Sequence, residues 1–198
     1  MVADVVARMA ASVATGLSGR AGPTTQDGVT AAATIEEVRD FLSELKEPPE
    51  TEPERLRLTS TLHALDHAGR LAEILAGGVP VGQGAAQDAR AAGLCAQAMR
   101  AVQAVGGSIT AETALSTQAA PIGWKVTPEV AAALGEAEGA AGELDALQRD
   151  HRAATLAAVA PGELTAADAL ARIDTVRQLD ALAHHAWRAS AHLLGCGA

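Results

Sequence analysis

Aromatic side chains are almost missing from this chain, with no Tyr, one Phe and two Trp among 198 residues. Because 48% of the residues are still hydrophobic, the core must consist mainly of Ala, Leu and Val. Such side chains favour closely approaching helices over sheets, which lean on aromatic and β-branched pairs, and the expected fold class is all-α. Cysteine is scarce as well. Cys95 and Cys196 form neither a C-x-x-C site nor a disulfide framework, and suit a reducing cytoplasm. No apolar run approaches the roughly 18 residues that span a bilayer. The start, MVADVVARMAASVATGL, carries charges where a signal peptide has an apolar centre, so neither a leader nor direct membrane insertion is expected. Basic residues are outnumbered, 15 Lys and Arg against 24 Asp and Glu, for a net charge of -9. Nucleic acid and anionic lipid both demand a concentrated basic face, and are not expected as principal partners. Catalytic motifs are missing too: there is no phosphate-cradling loop ending in Lys-Ser/Thr, no H-E-x-x-H, no G-x-S-x-G and no pair of Glu-x-x-His segments. Without a nucleophile and base in a recognisable pattern, no enzymatic activity is expected.

What is present is a duplication. RLRLTSTLHALDHAGRLAEILA, from Arg55 to Ala76, is echoed by TVRQLDALAHHAWRASAHLL, from Thr175 to Leu194. Setting Asp66 opposite His184 matches His67 with His185, Ala68 with Ala186, Arg70 with Arg188 and Leu75 with Leu193. Each copy sits third in a run of three expected helices, which predicts two pseudo-repeated three-helix bundles packed as one domain over 1–198. Repeat one covers 1–78 and repeat two 82–198, with an irregular insert at 107–127.

Apolar spacings of three and four place a first helix from Met1 to about Leu17, on Val2, Val5, Val6, Met9 and Val13. Gly19, Gly22 and Pro23 interrupt, and a second helix resumes through Val29, Ile35, Val38, Phe41, Leu42 and Leu45. The proline-rich acidic segment KEPPETEP, from Lys46 to Pro53, reads as a solvated turn. The third helix runs from Glu54 to Ala76, stopped by Gly77, Gly78 and Pro80. A fourth spans Gly82 to Val105 and is expected to end at Gly106-Gly107. The insert that follows contains Trp124 and a short helix over Ala111 to Gln118. Thr127 caps a long fifth helix that opens on Pro128 and carries Val130, Leu134, Ala137, Ala141, Leu144 and Leu147 towards Val159. Thr165, three residues before Asp168, opens the sixth, which ends near Gly195.

The histidines carry the main chemical signal. His63 and His67 lie on the third helix, His151 on the fifth, and His184, His185 and His192 on the sixth. His63 with Asp66, three apart, and Asp180 with His184, four apart, each project two metal donors from one helix face. His151 follows the buried stripe of its helix and reads either as an interhelical packing histidine or as a ligand facing Asp180 and His184. The candidate metal ligands are therefore Asp66, Asp180, His184, His63 and His151, and their nitrogen and oxygen donors suit zinc, iron, manganese or nickel. The competing reading is ordinary polar contacts with Arg70 and Arg188 and no metal, because charged pairs at this spacing are common and worth only about 0.2–0.5 kcal/mol each. Trp187 reads as packing or as an anchor for a neighbouring protein.

With its duplicated segments and two runs of three helices, the sequence resembles PhoU domains over nearly its whole length. More narrowly, TIEEVRDFLSEL, LHALDHAGRLAEIL and the stretch from Arg149 to Leu194 resemble the cytoplasmic PhoU-like region of bacterial sodium/phosphate cotransporters. The resemblance implies a non-enzymatic regulator of phosphate transport, cytoplasmic at the inner face of the cell membrane, whose partner is a membrane phosphate transporter. It also implies multinuclear metal sites built on an acid-x-x-x-Asp motif in each repeat. Here Asp66 holds the second acidic position of repeat one while Leu62 stands at the first. In repeat two Asp180 holds the first and His184 replaces the second. These departures point to one mixed Asp/His site or none. Two further functions stand beside the regulator: a metal-binding helical bundle for storage, sensing or metal-assisted chemistry, and a structural module that forms a homodimer.

Overall fold

Threonines open four of the six helices seen in the computed structural model, which describes residues 1–44, 49–79, 88–115 and 126–197. The helices are α1 (Val2–Leu17), α2 (Thr25–Ser43), α3 (Glu52–Ala76), α4 (Ala89–Leu115), α5 (Pro128–Ala157) and α6 (Ala166–Leu193), and the described residues contain no strand. Thr24 and Thr51 close full capping boxes with Asp27 and Glu54. Each threonine side chain accepts from the backbone N–H three residues on, and the acid accepts from the threonine N–H. Thr127 and Thr165 accept from the backbone N–H of Val130 and Asp168, at the starts the sequence predicts. Such caps satisfy amide donors that the first helical turn leaves unpaired. At the other ends Gly19, Gly78, Gly162 and Gly195 adopt positive φ, which turns the chain at low steric cost.

The helices fall into three plus three around one shared core. In the second half α4, α5 and α6 pack against one another. In the first half α2 lies along α3, whereas α1 spends most of its length on α4 and touches α2 and α3 less. Val6 and Val13 from α1, Ile35 from α2, Leu71 from α3, Met99 from α4, Leu144 from α5 and Leu179 from α6 all belong to one buried cluster. A smaller cluster of Val105, Ile109, Val130, Leu134 and Leu194 closes one end. The halves are joined by α1 against α4 and by the pair formed by α3 and α6. The helices of this last pair run antiparallel, since Ser60 donates to the His192 carbonyl at 2.8 Å while His67 meets His185 further along.

Three expectations change. The fourth helix does not stop at Gly106-Gly107 but continues to Leu115. The reason is that α1 comes so close that a Cβ on Gly106 would lie 2.5 Å from the Ala7 Cβ and 3.0 Å from the Ala3 carbonyl oxygen. The glycine serves helix approach, and buried Val105 and Ile109 on either side hold the helix together. Residues 111–115 thus belong to α4, while 116–125, with Trp124, lie outside the described residues, as do Leu45 of the expected second helix, 46–48 of the proline-rich turn and the expected fourth-helix start at 82–87. On α2, Val29 and Phe41 follow the apolar spacing yet are exposed, because α2 is covered by α3 on one side and only slightly by α1. Finally, α5 ends at Ala157, two residues short of Val159. Among the described residues no helix is long and apolar enough to cross a membrane.

Candidate functional site

The repeat offset of 118 residues places equivalent side chains in equivalent environments on α3 and α6. Ala64 and Leu182, Leu65 and Ala183, Ala68 and Ala186, Leu71 and Ala189 are matched pairs, and every one is buried. A local two-fold relation between antiparallel helices must bring some matched pair into contact near its axis. That pair is His67 and His185, whose Nδ1 atoms lie 3.0 Å apart.

Helical periodicity gathers the other histidines around this contact. His63 precedes His67 by four residues, and His192 follows His185 by seven, so both project from the faces that α3 and α6 turn towards each other. The His63 ring stacks on His192 with centroids 5.0 Å apart, and His67 stacks on His192 at 5.6 Å. His184 reaches the same place edge-on, 5.8 Å from His67 and 5.3 Å from His185. Five of the six histidines therefore form one cluster. Within it, one nitrogen each from His67, His184 and His185 lies within 4.8 Å of the other two.

The electrostatics favour neutral rings. Burial, then the positive charge of His185 and His184 when protonated, pulls His67 down to about 4. Burial and the neighbouring Arg188 and His63 pull His192 to about 4 as well. His185 is lowered by burial first, then by His184 and Arg70. Neutral imidazole is the metal-binding form, so these nitrogens carry lone pairs at neutral pH. Zinc–nitrogen bonds of about 2.0–2.1 Å in tetrahedral geometry set ligand nitrogens a little over 3 Å apart, and the 3.0 Å contact of His67 and His185 needs only a small adjustment. If the three histidines held a metal, the exposed His184 side would leave a coordination position open to solvent.

The residues singled out from the sequence divide among three places. His63 and His184 belong to the cluster. Asp66 is exposed at its edge, where its charge opposes the lowering of His67 and His185. Asp180 is half-buried one turn before His184 on α6, its carboxyl pushed up by burial and by Asp145, with His184 and Arg149 acting the other way. It also faces Cys95, whose thiol burial drives up to about 12. His151 stands apart from Asp180 and His184. Its Nε2 pairs with buried Asp88 at 2.8 Å, and Arg172 donates to the same Asp88 oxygen at 2.9 Å, so this trio ties the start of α4 to α5 and α6. The bland reading of an interhelical histidine describes it.

His67, His185 and His192 were not singled out by pairing histidines with acids along single helices. For His67 and His185 the signal is the internal alignment, which matches one with the other and so marks them as residues beside a two-fold axis; His192, opposite Ile74 in that alignment, carries no such mark.

The cluster forms one wall of a groove of about 710 Å³ between the first half of α3 and the end of α6. Leu56, Leu193, Leu194 and Pro53 supply its apolar surface, and Arg57, Arg188, His63, His67 and His192 its polar groups. Trp187 is half-buried, packs against both core clusters, and carries the Arg188 guanidinium 5.3 Å above its ring.

None of the family models, curated proteins or solved structures compared with the chain matches it.

Proposed function

We propose that this protein is a metal-binding helical bundle whose site is the triad His67, His184 and His185. The observation that carries the reading is the approach of three imidazole nitrogens, from two helices, to within 4.8 Å of one another. An all-imidazole donor set suits zinc, nickel, copper or iron better than magnesium or calcium, which prefer oxygen. A multinuclear cluster on paired acids fits less well, because Asp66 sits at the edge of the histidines while Asp180 faces Asp145 and Arg149. The test is cobalt(II) titration of the purified chain followed by d–d absorption, with zinc competition. One equivalent in a tetrahedral spectrum is expected, lost in His67→Ala and His185→Ala and kept in Asp180→Ala. Absence of saturable binding, or a site that survives both histidine variants, sinks the proposal.

A second reading, regulation of a membrane phosphate transporter, has the resemblance and the local two-fold pairing of α3 with α6 in its favour. Under it, metal at the triad biases the bundle between a transporter-binding and a free form by binding one of them better. Phosphate uptake measured after deletion, and after supplying the domain in excess, tests it; no change in either arm refutes it.

A further inference from the structure

We infer that the groove beside the histidines is a binding site for a small amphipathic carboxylate, a ligand beyond the metal that needs no metal to bind, although His67 lines the groove and belongs to the triad. The chain carries 24 acids and a net charge of -9, yet among the described residues the groove is lined by two arginines and by no Asp or Glu. Seven arginines elsewhere, such as Arg70 with Glu73 and Arg149 with Asp145, are in ion pairs. Arg57 and Arg188, like Arg20, Arg90, Arg100 and Arg152, make none among the described residues, although Arg57 attracts the Glu54 carboxylate from outside the groove. Arg188 donates instead to the Gly197 carbonyl at 3.3 Å and lies over Trp187, which hold its guanidinium at the groove with further N–H groups to offer. His192 is buried to 7% exposure, and its ring nitrogens make no hydrogen bond among the described residues.

The apolar part decides the class of anion. Leu56, Leu193, Leu194 and Pro53 present hydrocarbon beside the cations, and the volume of about 710 Å³ lies in the range of small-molecule sites, roughly 300–1,000 Å³. Inorganic phosphate satisfies arginine but leaves these walls wet, whereas a carboxylate on a hydrocarbon body satisfies both. The planar guanidinium matches a carboxylate through two parallel hydrogen bonds. Leu56, 62% exposed in the free groove, is the side chain such a body would cover.

Isothermal calorimetry on the full chain treated with chelator, using octanoate, octanol and inorganic phosphate in turn, tests the inference without metal. Octanoate is expected to bind one to one and octanol at least tenfold more weakly. The double variant Arg57→Gln/Arg188→Gln should lose octanoate at least tenfold. Arg57→Gln alone, a change outside the Trp187 and Gly197 contacts, should give a measurable part of that loss with an unchanged melting temperature. Undetectable octanoate binding, equal binding of octanol, full retention in both variants, or phosphate binding more tightly than octanoate overturns it. Cobalt binding at the triad is read separately, so either site can fail without the other.

Discussion

His67 and His185 are equivalent positions of an internal repeat, 118 residues apart in sequence, and their Nδ1 atoms face each other at 3.0 Å across the α3–α6 contact. The pairing of the copies thus gathers a histidine triad that neither copy holds alone, one ring from α3 and two from α6. Binding at such a site links the two halves of the chain. Zinc at a hundredfold excess over its dissociation constant should stabilise the fold by about 2.7 kcal/mol. Melting curves with zinc and with chelator check this: the difference should vanish in His67→Ala and persist in Asp180→Ala.

Acid should weaken the fold through the same rings. His67 and His192 titrate at about 4 in the folded state against 6.5 when unfolded, so between these values the unfolded chain binds more protons. Stability is therefore full above about pH 6.5, falls as pH drops from 6.5 towards 4, and loses nothing further from these groups below that. Urea midpoints measured across the range should follow this slope, and His192→Gln should flatten it.

Two adjacent glycines should respond in opposite ways. Gly106→Ala drives a methyl into Ala7 and the Ala3 carbonyl, while at Gly107 nothing lies within 4 Å of the new methyl. Overpacking costs about 1–3 kcal/mol, and replacing an exposed helical glycine by alanine gains up to about 1 kcal/mol. Chemical denaturation should show Gly106→Ala destabilised and Gly107→Ala as stable as the parent or more so.

The trio of Asp88, His151 and Arg172 should prove structural. The Asp88 side chain is 6% exposed, and Arg172→Met leaves its carboxylate with only the hydrogen bond to His151. Breaking a buried pair from one side costs about 3–5 kcal/mol. Urea unfolding should show a loss of that order, with cobalt binding at the triad unchanged under native conditions.

Thiol reactivity separates the cysteines. Burial holds the Cys95 thiol up at about 12, while Cys196 is exposed. A thiol reagent at pH 8 should titrate one group in the native protein and two in denaturant. Reaction of Cys95 without unfolding would show that the core around Asp180 opens.

Local signals in the chain reach far. Thr127 and Thr165 mark helix starts where the structure has them, and the stripe from Val130 to Leu144 is the buried face of α5. These are rules of a single helix, set by spacing and by the chemistry of the first turn, and they hold whatever the helix packs against. Where a neighbour decides, they miscarry: Gly106 reads as a stop but is the place where α1 fits, and Phe41 reads as core but has nothing among the described residues to cover it.

The site follows the same division. By itself the sequence determined an all-helical chain, a repeat, and histidines confined to three helices, because composition and periodicity act locally. Which histidines meet was decided by the antiparallel pairing of α3 with α6, which sets His67 against His185 and sends His151 to Asp88 instead. Acid–histidine spacing on one helix describes a shared face but not what that face meets. Only packing of one helix on another converts a face into a site.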